Sequence, residues 1–205
     1  MPRRAGNDST PNKRVCDPER LAEMEEVTDL PFWARQRETL WALGVFLVTT
    51  VLTVLSFPPY HTSEFAYAFA APAVFWAYLR PSFRLYTGTL LAAQAVAWSV
   101  ILGWLHHVTW AGLFLLGPFV GAWIGLWYLA VWWAMPRMWM RRPLQRILVI
   151  LGLAGLWAVI EWTRGWVFGG FPWLPLAASQ WQRSIVLQVA SLTGSTGVSF
   201  LLILF

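Results

Sequence analysis

From residue 40 to residue 205 the chain alternates long apolar runs with short polar or basic connectors. Six runs are legible, at about 40–57, 65–79, 85–105, 113–134, 147–163 and 185–205. A bilayer core of ~30 Å needs about 20 apolar residues in helical form, so runs of this kind read as membrane spans. The pattern predicts an all-α, polytopic transmembrane helical bundle of about six spans, with an outward-facing aromatic loop between spans five and six. The run at 65–79 is short and contains Pro72, which predicts a kinked, tilted or partly inserted segment. Gln94 with its neighbouring alanines, and Gly117 with Gly121 four positions on, suit faces packed against other helices. Residues 1–39 are polar and rich in charge, and they read as a disordered tail. That polar opening, without an apolar core segment, predicts no cleavable signal peptide.

The connectors carry the charge, and strongly basic connectors alternate along the chain with loops that are not basic clusters. Arg80 and Arg84 lie in one connector, and Arg137, Arg141, Arg142 and Arg146 in another. By the positive-inside rule these connectors and the N-terminal tail are cytoplasmic, and the loops around Tyr60, His106 and Trp173 face outward. Composition agrees, since 58% of residues are hydrophobic and only 12% charged, about half the charge of an ordinary soluble domain. The 16 tryptophans suit the membrane–water interface, where a ring is half buried and its N–H stays wet. The net charge of +5 sets topology and does not mark a nucleic-acid partner. A single cysteine, Cys16, excludes an intrachain disulfide.

Candidate chemistry is sparse. Cys16 is the only thiol, but it lies in the polar tail without a fold to activate it. His61, His106 and His107 lack the spacing of a metal site, and the adjacent pair is expected to point apart. No metal and no cofactor is implied. Glu161 and Arg164, three positions apart, can meet on one helix face. They read either as a mutually neutralising pair that ties down the next loop, or as a site that holds a lipid headgroup or orients that loop. Trp166, Phe168, Phe171, Trp173 and Trp181 read either as an interfacial belt or as a shaped arm for acyl chains. Gly169, Gly170, Pro172 and Pro175 prevent a plain helix there. A small transporter is disfavoured because no charge lies near the middle of a run.

The residues Glu161, Trp162, Thr163, Arg164, Gly165 and Trp166, then Gly170, Phe171, Pro172, Trp173 and Leu174, then Ser179 and Gln180, resemble the membrane domain of apolipoprotein N-acyltransferases. The run 194–200, the outer-loop stretch 55–60, and Gly103, Trp104 and Trp110 are similar to that family as well. The resemblance covers about residues 40–205. It implies transfer of an acyl chain from a phospholipid donor to the N-terminal diacylglyceryl-cysteine of a lipoprotein acceptor, by way of a cysteine thioester. It also implies a bacterial inner-membrane location with the N-terminus cytoplasmic, and a monomer in full-length form.

The family's Glu, Lys and Cys belong to a nitrilase-like domain that this sequence does not contain, so no catalytic residue carries over. The expected assignment is the N-terminal membrane portion of such an enzyme, a fragment inactive by itself. The alternative is a non-catalytic lipid-binding scaffold that partners a separate nitrilase-like subunit. Glu161, Arg164, Trp166, Phe171, Pro172, Trp173 and Gln180 are the candidates for lipid access or substrate docking.

Overall fold

The computed structural model describes residues 32–60 and 62–205. Cys16, His61 and the polar stretch through residue 31 lie outside the described residues. The chain divides into two units, Met1–Glu38 and Thr39–Phe205. Of the first, the described part is the opening of a helix at residues 32–38.

Helix α1, Phe32–Ser56, follows the first apolar run and stops before Pro58 and Pro59, joined by a cis bond. Neither proline can donate to a helix ladder. Two hydroxyls of α1 bond within the helix, Thr53 to the Thr49 carbonyl and Ser56 to the Leu52 carbonyl, both at 2.7 Å.

The second run is divided. A 3-10 turn, Ser63–Tyr67, leads through a bend into α2, Ala71–Tyr78. Pro72 sits in the first turn of α2, where its fixed φ and missing N–H are tolerated. It therefore starts a helix and does not kink one. With 8 residues, α2 is about 12 Å long, well short of a bilayer core.

Helix α3, Phe83–Ile101, packs along α4, Trp110–Met138. The approach is close because α4 presents Gly117, Gly121 and Gly125 to it. A Cβ at Gly121 would lie 2.5 Å from the Gln94 carbonyl oxygen and 2.6 Å from the Ala95 backbone. At this crossing Gln94 is fully buried and donates to Thr53 of α1 at 3.3 Å and to Tyr128 of α4 at 3.2 Å. Tyr86 of α3 donates to the Ala73 carbonyl of α2 at 3.2 Å.

Helix α5, Pro143–Arg164, is tied to α4 by two indoles. Trp123 donates to the Ile160 carbonyl at 3.1 Å and Trp127 to the Leu153 carbonyl at 2.8 Å. The last apolar run is also broken, into α6, Ser184–Leu187, and α7, Ala190–Leu204. Within α7 Gly194 has φ 69° and interrupts the helical backbone, a conformation that residues with a Cβ resist.

Among the described residues, Gln36–Ser56, Trp110–Met138 and Pro143–Arg164 are long and apolar enough to cross a membrane, and Ala190–Leu204 is a shorter apolar helix. The connectors sort to two ends of the bundle. At one end Trp132 of α4 donates to Pro81 at 3.0 Å, and the Tyr78 hydroxyl lies 4.0 Å from the Met138 sulfur. The loops around Ser63, Trp104 and Trp173 meet at the other.

Candidate functional site

The site is built on the end of α5 and the chain that follows. The last turn of α5 places Glu161 and Arg164 on its inner face, 8% and 3% exposed. Burial of two charges so near a helix end requires partners, and both find them in the next loop. Arg164 donates from Nη2 to the Trp173 carbonyl at 3.1 Å and to the Leu174 carbonyl at 3.2 Å. Glu161 accepts the Leu176 amide proton at 2.6 Å. Among the described residues the ion pair is Arg183 with Glu64; Glu161 and Arg164 each grip the loop backbone.

The loop is shaped to be gripped. A 3-10 turn, Val167–Gly169, is followed by Gly170 with φ 81°, and the Phe171 amide returns to the Arg164 carbonyl at 2.8 Å. A Cβ on Gly170 would strike the Gly165 carbonyl. Leu174 adopts φ 53° between the two clamps, a left-handed conformation that costs a residue with a Cβ roughly 1–2 kcal/mol. A second 3-10 turn, Leu176–Gln180, is buried, and the Ala177 amide donates to Ser199 of α7 at 3.0 Å.

The predicted site residues divide into two sets. Glu161, Arg164 and Gln180 are buried and structural in their contacts. Gln180 donates to the Ser63 carbonyl at 2.9 Å, and Arg183 donates to the Ser63 hydroxyl at 3.1 Å. Trp166, Pro172 and Trp173 are exposed, and Phe171 is half-buried. The Phe171 and Trp173 rings meet at 4.8 Å, tilted by 54°, and Trp173 meets Trp104 of the neighbouring loop at 5.4 Å. Trp166 instead packs on Trp162, at 5.3 Å, away from this ledge.

Several members of the site were not singled out from the sequence. Trp98 of α3 lies 5.0 Å from the Arg164 guanidinium, in cation–π range. Ser63 and Ser199 anchor the loop. Ser199 had a signal, standing in a small, hydroxylated run; Ser63 had none.

Beside the clamp is a cleft of about 90 Å³ lined by Leu116, Phe119, Trp123, Arg164 and Phe171. Arg164 Nε and Nη1 make no hydrogen bond, and neither does Glu161 Oε2. The arrangement places a buried guanidinium with two unpaired donor atoms beside an aromatic ledge. His106 and His107 are exposed on the 3-10 turn Gly103–His107. Their rings do not point apart but lie 3.7 Å from one another, with the His106 ring turned back onto the Gly103 carbonyl. Among the described residues, no group of three His, Cys, Asp or Glu side chains is placed to hold a metal ion.

Fold and site together define an all-helical membrane protein with a structured aromatic loop clamped to the end of one span. The model of the apolipoprotein N-acyltransferase N-terminal domain matches residues 49–205, and the chain belongs to that family. Proteins named apolipoprotein N-acyltransferase are similar to it. That of Geobacter metallireducens is 32% identical over 168 residues, covering 77% of this chain and 31% of its own length. That of Vibrio vulnificus is 31% identical over 138 residues, covering 63% and 26%. For Shewanella oneidensis the figures are 29% over 187 residues, covering 86% and 35%. The chain thus spans between 26% and 35% of these curated relatives.

Proposed function

We propose that this chain is the membrane portion of an apolipoprotein N-acyltransferase of the bacterial inner membrane, with its N-terminus cytoplasmic. The reaction moves an acyl group from a phospholipid ester oxygen to a cysteine sulfur, then from that sulfur to the α-amino nitrogen of a diacylglyceryl-cysteine. Neither step has its reactive groups here. The chain holds one cysteine, Cys16, and one lysine, Lys13, both in the polar N-terminal stretch. The family resemblance assigns the nucleophile to a nitrilase-like domain.

What this chain contributes is the approach of the lipid. The ledge of Phe171, Trp173 and Trp104 offers apolar faces to an acyl chain, and Arg164 offers donors to the ester or phosphate at its head. The observation that carries this reading is Arg164, which lines the cleft while its Nη2 fixes the loop and its buried Nε and Nη1 make no hydrogen bond. A guanidinium recognises phosphate and carbonyl oxygens in this manner.

Trp173→Ala in a full-length enzyme carrying this domain is expected to slow acyl transfer about fivefold with insertion unchanged, since aromatic packing of this type is worth ~1 kcal/mol. Transfer at the unaltered rate would reduce the ledge to an interfacial belt. The 205 residues alone, expressed in cells depleted of their own enzyme, are expected not to restore N-acylation. Restoration would place the catalytic group within them.

A further inference from the structure

At the end of the bundle away from the aromatic loop, the α2–α3 and α4–α5 connectors enclose a cleft of about 540 Å³, within the usual range for a small-molecule site. Phe75, Leu79, Trp139 and Met140 form exposed apolar walls, and Arg80 and Arg146 stand at its rim. An adjoining cleft of about 350 Å³ shares Arg80 and adds Arg137. Residues 79–84 and 136–146 together carry Arg80, Arg84, Arg137, Arg141, Arg142 and Arg146, with no Asp or Glu. None of these arginines pairs with a carboxylate among the described residues.

The arginines at the rim are held in place. Arg80 follows the cap of α2 with φ 55°, a position where glycine is the easy residue and any side chain carries a conformational cost. Its turn is pinned by Trp132 donating to Pro81 at 3.0 Å. Arg146 donates from Nε to the Arg141 carbonyl and from Nη2 to the Trp139 carbonyl, each at 3.0 Å. Arg137 lies over the Trp133 ring at 4.6 Å. A set of braced cations above apolar walls, at the ends of helices long and apolar enough to cross a membrane, matches one chemistry, an anionic headgroup joined to acyl chains.

We propose that this cleft binds one anionic phospholipid from the leaflet beside the basic connectors, its phosphodiester between Arg80 and Arg146 and its acyl chains along Phe75, Leu79 and Trp139. The site is distinct from the Arg164 ledge, lies at the other end of the bundle, and does not depend on acyl transfer. Charge decides the occupant. A zwitterionic lipid brings its own cation into a cleft that, among the described residues, is lined by no carboxylate.

The test is native mass spectrometry of the full chain in detergent, titrated with phosphatidylglycerol, phosphatidylcholine or inorganic phosphate. Phosphatidylglycerol is expected to bind at least tenfold more tightly than phosphatidylcholine. Arg80→Gly and Arg146→Gln are each expected to weaken it about fivefold, the scale of one basic side chain near an anionic surface. Arg80→Gly relieves the left-handed backbone, so a melting temperature equal to or above the wild type's separates lost binding from lost folding; Arg80→Lys is expected to retain most of the affinity. Equal affinity for the two lipids overturns the proposal, as does phosphatidylglycerol binding unchanged in Arg80→Gly and Arg146→Gln. Displacement of the lipid by millimolar inorganic phosphate overturns it too, in favour of a free-phosphate site.

Discussion

Replacing Arg164 with leucine removes two charge-assisted hydrogen bonds, to Trp173 at 3.1 Å and Leu174 at 3.2 Å, and a cation–π contact with Trp98. Bonds from a charged donor contribute ~1.5–3 kcal/mol each, so the gross loss is about 3–6 kcal/mol. Part is recovered, because Arg164 is 3% exposed and leaves two donor atoms unsatisfied, a desolvation cost that leucine does not carry. A net loss of about 3 kcal/mol follows, or roughly a hundredfold in the opening equilibrium of the loop. Hydrogen exchange in detergent reads this directly. The Leu176 amide, held by Glu161 at 2.6 Å, is expected to lose about a hundredfold in protection as the loop lifts, while amides in the middle of α3 and α4 keep theirs. Unchanged protection at Leu176 would mean that Glu161 and Ser199 hold the loop alone and that Arg164 is not a clamp.

Gly121→Leu is expected to lower thermal stability in detergent by at least ~3 kcal/mol, since overpacking a tight site costs about 1–3 kcal/mol even where side chains can yield, and here the obstacle is the Gln94 and Ala95 backbone. An unaltered melting temperature would show that α3 and α4 do not cross this closely. Gln94→Leu removes the bonds to Thr53 and Tyr128 and is expected to cost about 1 kcal/mol in denaturant titration, the scale of interhelical polar contacts in membranes. A loss above ~3 kcal/mol would point to a larger network than these two bonds.

How far the site could be read from residue order follows from where its contacts lie. Glu161 and Arg164 were legible because their spacing puts them on one helical face, and Gly169, Gly170, Pro172 and Pro175 announced a non-helical loop after them. Their partners were not legible. Spacing suggested that the two side chains could meet, whereas the backbone of residues 173–176 folds back over the helix end and takes both. Pro72 marks the 65–79 run as kinked, tilted or partly inserted, and the structure shows where it acts: after a 3-10 turn it starts a separate short helix. A helical wheel sends the two histidines apart, whereas the side chains themselves turn so that the rings lie 3.7 Å from one another and His106 meets the Gly103 carbonyl.

By itself the order of apolar and polar residues determined that the chain is helical and membrane-embedded, since these are local consequences of side-chain hydrophobicity and of the backbone's need to satisfy its own hydrogen bonds in lipid. It also marked which connectors carry the positive charge. Only the tertiary structure decided that Gln180 reaches Ser63 across 117 positions, that the Arg164 clamp closes over Trp173 and Leu174, and that Arg80 and Arg146 share one cleft. Those contacts join residues far apart in the chain, and they exist because glycine-lined helices bring their ends together at fixed distances, a property of packing that no single stretch of sequence contains.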